Sequence, residues 1–434
     1  MTDGARTPEG VPPIGGAPRR VAIACQGGGS HTAFTAGVLS RLLDGDELDD
    51  YDVVALSGTS GGAICALLAW TALVDGDRRT ARTLLEAFWA DNSASTPMDA
   101  AVNSWLLWAS TLQSSGLFPI VSPYDLPVSG LDAFRELITR HVDLDRVEVD
   151  AAGVHPLLLI GAVDVLSGRF RAFNSRRDRI TADMVLASAA IPTIFPTVHT
   201  DGGSFWDGLF SQNPPVRELL DVKPDELWVI QINPTARADE PRTVLDITDR
   251  RNELAGNLSL YQELHVIEKV DRLLADGLLV GDRYKQVTVR VLEFARPRSS
   301  TLLGPVSKLN RDAGFIRELM GQGERQAEEF LSVLAFERAW RDKDVDAVLR
   351  VLSPDVELSS APPFPAVDPV RGEEARAAAV DLCRTARMDL THKQLTRERA
   401  TWTVRSAGTD ARGRVEAEVA DGRVTRVRLG PAPT

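Results

Sequence analysis

A chain of 434 residues, 44% of them hydrophobic, is long enough for two or three domains with ordinary cores. Its formal net charge of −12 argues against nucleic acid as a partner and against electrostatic adhesion to anionic lipid. Any membrane contact would have to be hydrophobic and local, because no apolar run reaches the ~18 residues that a span requires.

Residues 1–19 are rich in Pro and Gly, lack the apolar core of a signal peptide and read as a disordered leader. Val21–Gln26 is nearly all apolar, as expected of a strand buried on both faces of a parallel sheet. It runs into Gly27-Gly28-Gly29, and residues 30–43 read as a helix whose apolar stripe is Ala33, Phe34, Val38, Leu39, Leu42 and Leu43. A second apolar strand, Tyr51–Ser57, leads into Gly58-Thr59-Ser60-Gly61-Gly62 and then the helix Ala63–Trp70. Strand, sharp turn and helix are the context in which a G-x-S-x-G pattern places a serine at the apex of the turn. One right-handed βαβ unit then sets the Gly27–Gly29 loop beside Ser60 at the same sheet edge. Three consecutive glycines at a helix start expose N–H groups to a developing negative charge. A dinucleotide loop would need glycine where Thr32 stands, and a Walker loop would need a lysine that is lacking.

Cys25 and Cys65 flank this region among apolar neighbours and read as core packing. With Cys383 they suit a reducing cytoplasm and not a disulfide framework. No Cys/His spacing suggests a metal, and nothing calls for a cofactor. Residues 101–123 form a helix-then-loop segment rich in Trp105, Leu106, Leu107, Trp108, Phe118 and Ile120. It reads either as a lid or acyl-chain wall near the serine, with Trp105, Trp108 and Phe118 as the wall, or as a buried helix. Periodicity does not separate the two.

Pro156–Val165, Glu226–Ile232 and Tyr284–Glu293 look like further strands, and residues 250–279 form a long helix. The Asn257, Gln262, Glu263 and His265 of that helix read as surface or helix-packing groups. A nucleophilic serine needs a proton acceptor. None of the six histidines, His31, His141, His155, His199, His265 and His392, stands in a late loop after an acidic partner. The better candidate is Asp207, in Phe205-Trp-Asp-Gly-Leu-Phe-Ser-Gln-Asn-Pro-Pro215. Shielded enough to raise its pKa, its carboxylate accepts the serine proton directly; otherwise Asp207-Gly208 is a surface turn.

Gly27–Gly29, Gly58–Gly62, the stretch Ala187–Pro196, Asp207-Gly208 and Asn213-Pro214 together resemble the patatin-like phospholipases, over roughly residues 20–332. The resemblance implies a three-layer α/β/α domain and a Ser–Asp dyad that hydrolyses acyl esters of lipids without histidine. Carried over by position, Ser60 is the nucleophile, Asp207 the general base and the Gly27–Gly29 amides the oxyanion donors. Gly58, Thr59, Gly61 and Gly62 form the nucleophile elbow. Two departures stand out. Ser30-His31 follows the glycines where the family has a basic residue and a glycine, and Leu209 follows Asp207-Gly208 where the family has Gly or Ala. Asp201-Gly202-Gly203 reads as the close of a hairpin from Pro196–His199.

The helix at residues 308–334 reads as the end of that domain, and the character of the chain then changes. A helix at 336–352, a strand at 356–358, a helix at 372–383 and a hairpin around Asp421-Gly422 resemble a small α+β cone of the nuclear-transport-factor-2-like superfamily, over residues 333–434. The resemblance implies a unit that binds small molecules, forms homodimers or, occasionally, catalyses. Asp355, Glu357, Asp368 and His392 lack a convergent pattern and read as surface polar residues. The expectation is a cytoplasmic serine acyl hydrolase acting on a lipid or acyl-ester substrate. The alternatives are acyl transfer to an alcohol, or a non-catalytic scaffold that presents the C-terminal domain.

Overall fold

The computed structural model describes residues 17–114, 122–125, 130–192, 194–237, 239–281, 283–294, 305–385, 388–396, 399–406 and 412–431. Residues 1–16 of the expected leader, together with Phe118 and Ile120, lie outside them. The leader ends sooner than the composition suggested, because Arg19 already pairs with Tyr51. The first half of the chain alternates strands and helices. In order come β1 (Arg19–Cys25), α1 (Ala33–Asp44), β2 (Tyr51–Thr59), α2 (Gly61–Val74), α3 (Thr80–Asn92), α4 (Pro97–Ser114) and α5 (Leu131–His141). There follow β3 (Leu157–Asp164), β4 (Phe170–Asn174), α6 (Ala182–Ala189), β5 (Val198–Thr200), β6 (Gly203–Asp207), β7 (Glu226–Gln231), α7 (Val244–Ala275) and β8 (Thr288–Glu293).

The sheet order β8-β7-β1-β2-β3 is parallel throughout, as alternating strands and helices require. β4 and β6 both pair antiparallel with β3, and β5 closes a hairpin with β6. Asp201 and Gly202 form the turn of that hairpin, both with positive φ. The period of two splits each strand between two cores. Ile23 and Cys25 of β1 pack with Leu39, Leu67 and Leu186 from α1, α2 and α6. Ala22 and Ala24 pack on the opposite face, with Leu219, and with Leu260 and Ile267 of α7. The sheet is thus covered by helices on both sides. Among the described residues, no helix is long and apolar enough to cross a membrane.

A 30-residue helix, α8 (Ala313–Asp342), runs without a break through position 333, where the sequence suggested a domain boundary. It crosses α1 at close range. A Cβ on Gly37 would overlap the Met320 carbonyl, and one on Gly323 would overlap the Phe34 carbonyl. Beyond it come α9 (Val345–Val351), β9 (Leu352–Ser360), β10 (Val367–Arg371), α10 (Gly372–Thr385), β11 (Met388–Thr396), β12 (Arg399–Ser406), β13 (Arg412–Ala420) and β14 (Arg423–Pro431). These strands run β10-β9-β14-β13-β12-β11, antiparallel except between β14 and β9. β11 lies parallel to β8 through the pair Leu395–Leu292, so one 14-stranded sheet passes through both halves. Arg290 of β8 ties the halves together: it donates to Glu226 of β7 and, at 2.8 Å, to Glu337 of α8. All three side chains are buried.

Candidate active site

β2 ends at Thr59, and α2 begins at Gly61. Ser60 alone makes the turn, with φ 57° and ψ −132°. This is a backbone state that a residue with a Cβ adopts only under constraint from its surroundings. The glycines make the turn sterically open. A Cβ at Gly58 would meet the backbone of Gly62 and Ala63, and one at Gly62 would run into the Cys25 and Gln26 carbonyls at the end of β1. A hydroxyl holds the turn from outside. The Ser60 N–H donates to Ser188 Oγ at 3.0 Å, and Ser188 Oγ donates in turn to the Gly161 carbonyl at 2.6 Å. Thr59 Oγ1 donates to the Gln212 carbonyl at 2.7 Å, which ties β2 to the loop after Asp207.

Strand register brings the carboxylate to the serine. Thr59 lies opposite Gly161 of β3, and the next residue, Ala162, lies opposite Asp207 of β6. The Ser60 side chain lies close enough to the Asp207 carboxylate to favour its charged form. The Leu209 N–H donates to Asp207 Oδ1 at 2.8 Å. Asp207 is buried, and its pKa is pushed up to about 7. Burial, which penalises the charged form, is the largest cause; Ser60 and the Leu209 N–H work against it.

The glycine loop lies against the same turn. A Cβ on Gly27 would stand 2.9 Å from Ser60 Cβ. The Gly27 N–H, expected as an oxyanion donor, is already committed to Asn213 Oδ1 at 2.7 Å. The N–H groups of Gly28 and Gly29 have no acceptor among the described residues. Gln26 fixes the loop from below: its Oε1 accepts from the Ile232 and Asn233 N–H groups, and its Nε2 donates to Asn257 Oδ1 at 2.9 Å. Asn257 and Glu263 of α7 therefore serve in helix packing. Glu263 accepts from Gln212 Nε2 at 3.0 Å and from the Val216 and Arg217 N–H groups at 2.9 Å. Burial pushes the Glu263 carboxyl up.

The remaining candidates lie elsewhere. His31 is buried between Phe294 and Phe315, with Nε2 2.7 Å from Ser307 Oγ. Cys25 and Cys65 are buried free thiols, the latter pushed up to about 12 by burial. Trp105 and Trp108, on α4, are 58% and 57% exposed, so they sit in neither a buried helix nor an enclosed wall. Asp355 and Asp368 are exposed, and Glu357 pairs with Arg371 and Arg426. His392 lies on β11. Among the described residues, no group of His, Cys, Asp or Glu could hold a metal.

Sequence reasoning missed Ser188. Its signal was a lone hydroxyl in Ala187-Ser188-Ala189-Ala190, since a polar atom buried among alanines must find partners.

A comparison with curated proteins gives no match. Among solved structures, an NTF2-like protein of unknown function from Mesorhizobium loti aligns at 19% identity. The alignment covers 24% of this chain and 92% of that one, with a TM-score of 0.22. A SnoaL-like protein of unknown function from Burkholderia thailandensis aligns at 20% identity, over 25% of this chain and 98% of that one, with a TM-score of 0.21. Residues 23–220, which hold the glycine loop, the Ser60 turn and Asp207, match the family model of the patatin-like phospholipases.

Proposed function

We propose that this chain is a serine acyl hydrolase acting on lipid esters. The observation that carries the reading is that strand register sets Ser60, strained at the tip of its turn, beside a buried Asp207 whose pKa is raised to about 7. A base with that pKa is half ionised near neutrality and takes a proton readily. Ser60 Oγ attacks the ester carbonyl carbon as its proton passes to Asp207. The Gly28 and Gly29 amides, in place of the full Gly27–Gly29 set, hold the oxyanion that forms. As the tetrahedral intermediate collapses, the C–O bond to the alcohol breaks and Asp207 returns the proton to the departing oxygen. Water then attacks the acyl-serine, giving its proton to Asp207. Collapse releases the acid and restores the Ser60 hydroxyl with that proton. The match of residues 23–220 to the patatin-like family model supports a lipid ester as substrate. Three buried free thiols suit a reducing compartment such as the cytoplasm. The strands and helices beyond Asp342 read as the NTF2-like unit.

The test is intact-mass analysis after exposure to a long-chain fluorophosphonate. Wild type should take one adduct, Ser60→Ala none, and Asp207→Asn should react more slowly by ~100-fold or more, the usual worth of a positioned base. Folded wild type that takes no adduct would refute the reading.

A further inference from the structure

Two neighbouring helices carry apolar stripes that the fold does not cover. On α4, Met98, Val102, Trp105 and Trp108 recur at helical spacing and are all exposed. On α7, Val244, Ile247, Leu254, Leu258 and Tyr261 do the same, with Leu254 54% and Leu258 59% exposed. The helices pack on each other. α7 also packs on the turn at Gly208–Phe210 that follows Asp207, and α4 packs on the turn at Pro305–Leu309 beside the glycine loop. The stripes therefore flank the serine site. They are also poor in charge. Asp99 is the only formal charge between Pro97 and Trp108, and Arg251 interrupts the α7 stripe alone.

We propose that the paired stripes of α4 and α7 form the surface by which this chain docks on an uncharged lipid surface. The inference rests on the hydrolase reading for its purpose, since docking would present Ser60 to its substrate. Two features select this occupant. Tryptophan prefers the boundary between headgroups and acyl chains, where its ring lies in apolar surroundings and its N–H stays wet. A stripe with one cation, on a chain of net charge −12, offers no attraction to anionic lipid and meets no penalty at a zwitterionic one.

The test is co-sedimentation of the full chain with phosphatidylcholine vesicles at low and high salt, run beside turnover of a water-soluble short-chain ester. Wild type should partition onto the vesicles at both salt levels, with a blue shift of its tryptophan emission. The double substitution Leu254→Glu and Leu258→Glu should weaken partitioning by ~10-fold or more while leaving ester turnover and the unfolding temperature unchanged. Val102→Glu on α4 provides an independent check and should act in the same direction. Wild type that stays in the supernatant, or variants that partition like wild type, would overturn the proposal. So would binding confined to phosphatidylserine vesicles and released by salt, or a wild-type dimer that these substitutions dissociate without any lipid binding. Vesicle binding without ester turnover would uphold docking and strike the hydrolase reading alone.

Discussion

Burial sets the chemistry of Asp207. Its carboxyl has a pKa of about 7 in the folded chain, against ~3.9 when unfolded. As the proposed base it would work only when ionised, so kcat/KM for an ester should rise with pH through about 7 and level off above it. The same shift acts on stability with a definite sign. Between about pH 4 and 7 the folded state holds a proton that the unfolded state has lost, so rising pH destabilises the fold through that window. Asp207→Asn carries no charge. Its unfolding temperature should rise relative to wild type as pH increases from 5 to 8, by ~3 °C or more in thermal denaturation; parallel curves would place the raised pKa elsewhere. Ser60 and Asp207 were legible because glycines and a turn dipeptide mark where the backbone must bend. Ser188 was not, because its role depends on β3 and the serine turn meeting beside α6, and neither lies near it in sequence. The commitment of the Gly27 amide to Asn213 depended likewise on a loop far along the chain.

The buried parallel strands declared themselves as apolar runs, and β1, β2, β3 and β7 fall close to where those runs lie. The β5–β6 hairpin was legible only through its Asp201-Gly202 turn, and β4, short and only partly buried, did not declare itself. Nor did the unbroken course of α8. The helices read at 308–334 and 336–352 are continuous up to Asp342: nothing in Leu334-Ala335-Phe336 breaks a helix, and only the change in the character of the chain suggested a boundary there. In the fold, Gly323 is what allows α8 to lie against α1, with the Phe34 carbonyl where a side chain would stand. Gly323→Leu should therefore destabilise by about 3 kcal/mol, because backbone has to move to admit it, even though leucine favours helix. Gly321 has nothing but the flexible Arg325 near its Cβ position, so Gly321→Ala should be neutral or stabilising in the same chemical-denaturation measurement.

At the scale of the whole molecule, α8 and the shared sheet leave no point between residues 313 and 342 at which the chain divides cleanly. Phe330, Phe336 and Trp340 of α8 are buried, and Glu337 meets the buried Arg290. A chain ending at residue 332 loses the last ten residues of that helix, 333–342. It also strips β8 of its neighbour β11, leaving an open strand edge available to another chain. Such a fragment should aggregate on expression, while the full chain stays soluble; a soluble, monomeric fragment by light scattering would contradict this coupling. A similar dependence operates in time during synthesis. The ribosome releases the residues of the serine site long before it releases Glu337 and the partner of β8. The nascent N-terminal unit must therefore wait with a bare β8 edge, and with only one of the two carboxylate partners of Arg290, until α8 and β11 have emerged. The rate of translation between the codons of β8 and those of β11 thus bears on how much folded protein a cell obtains.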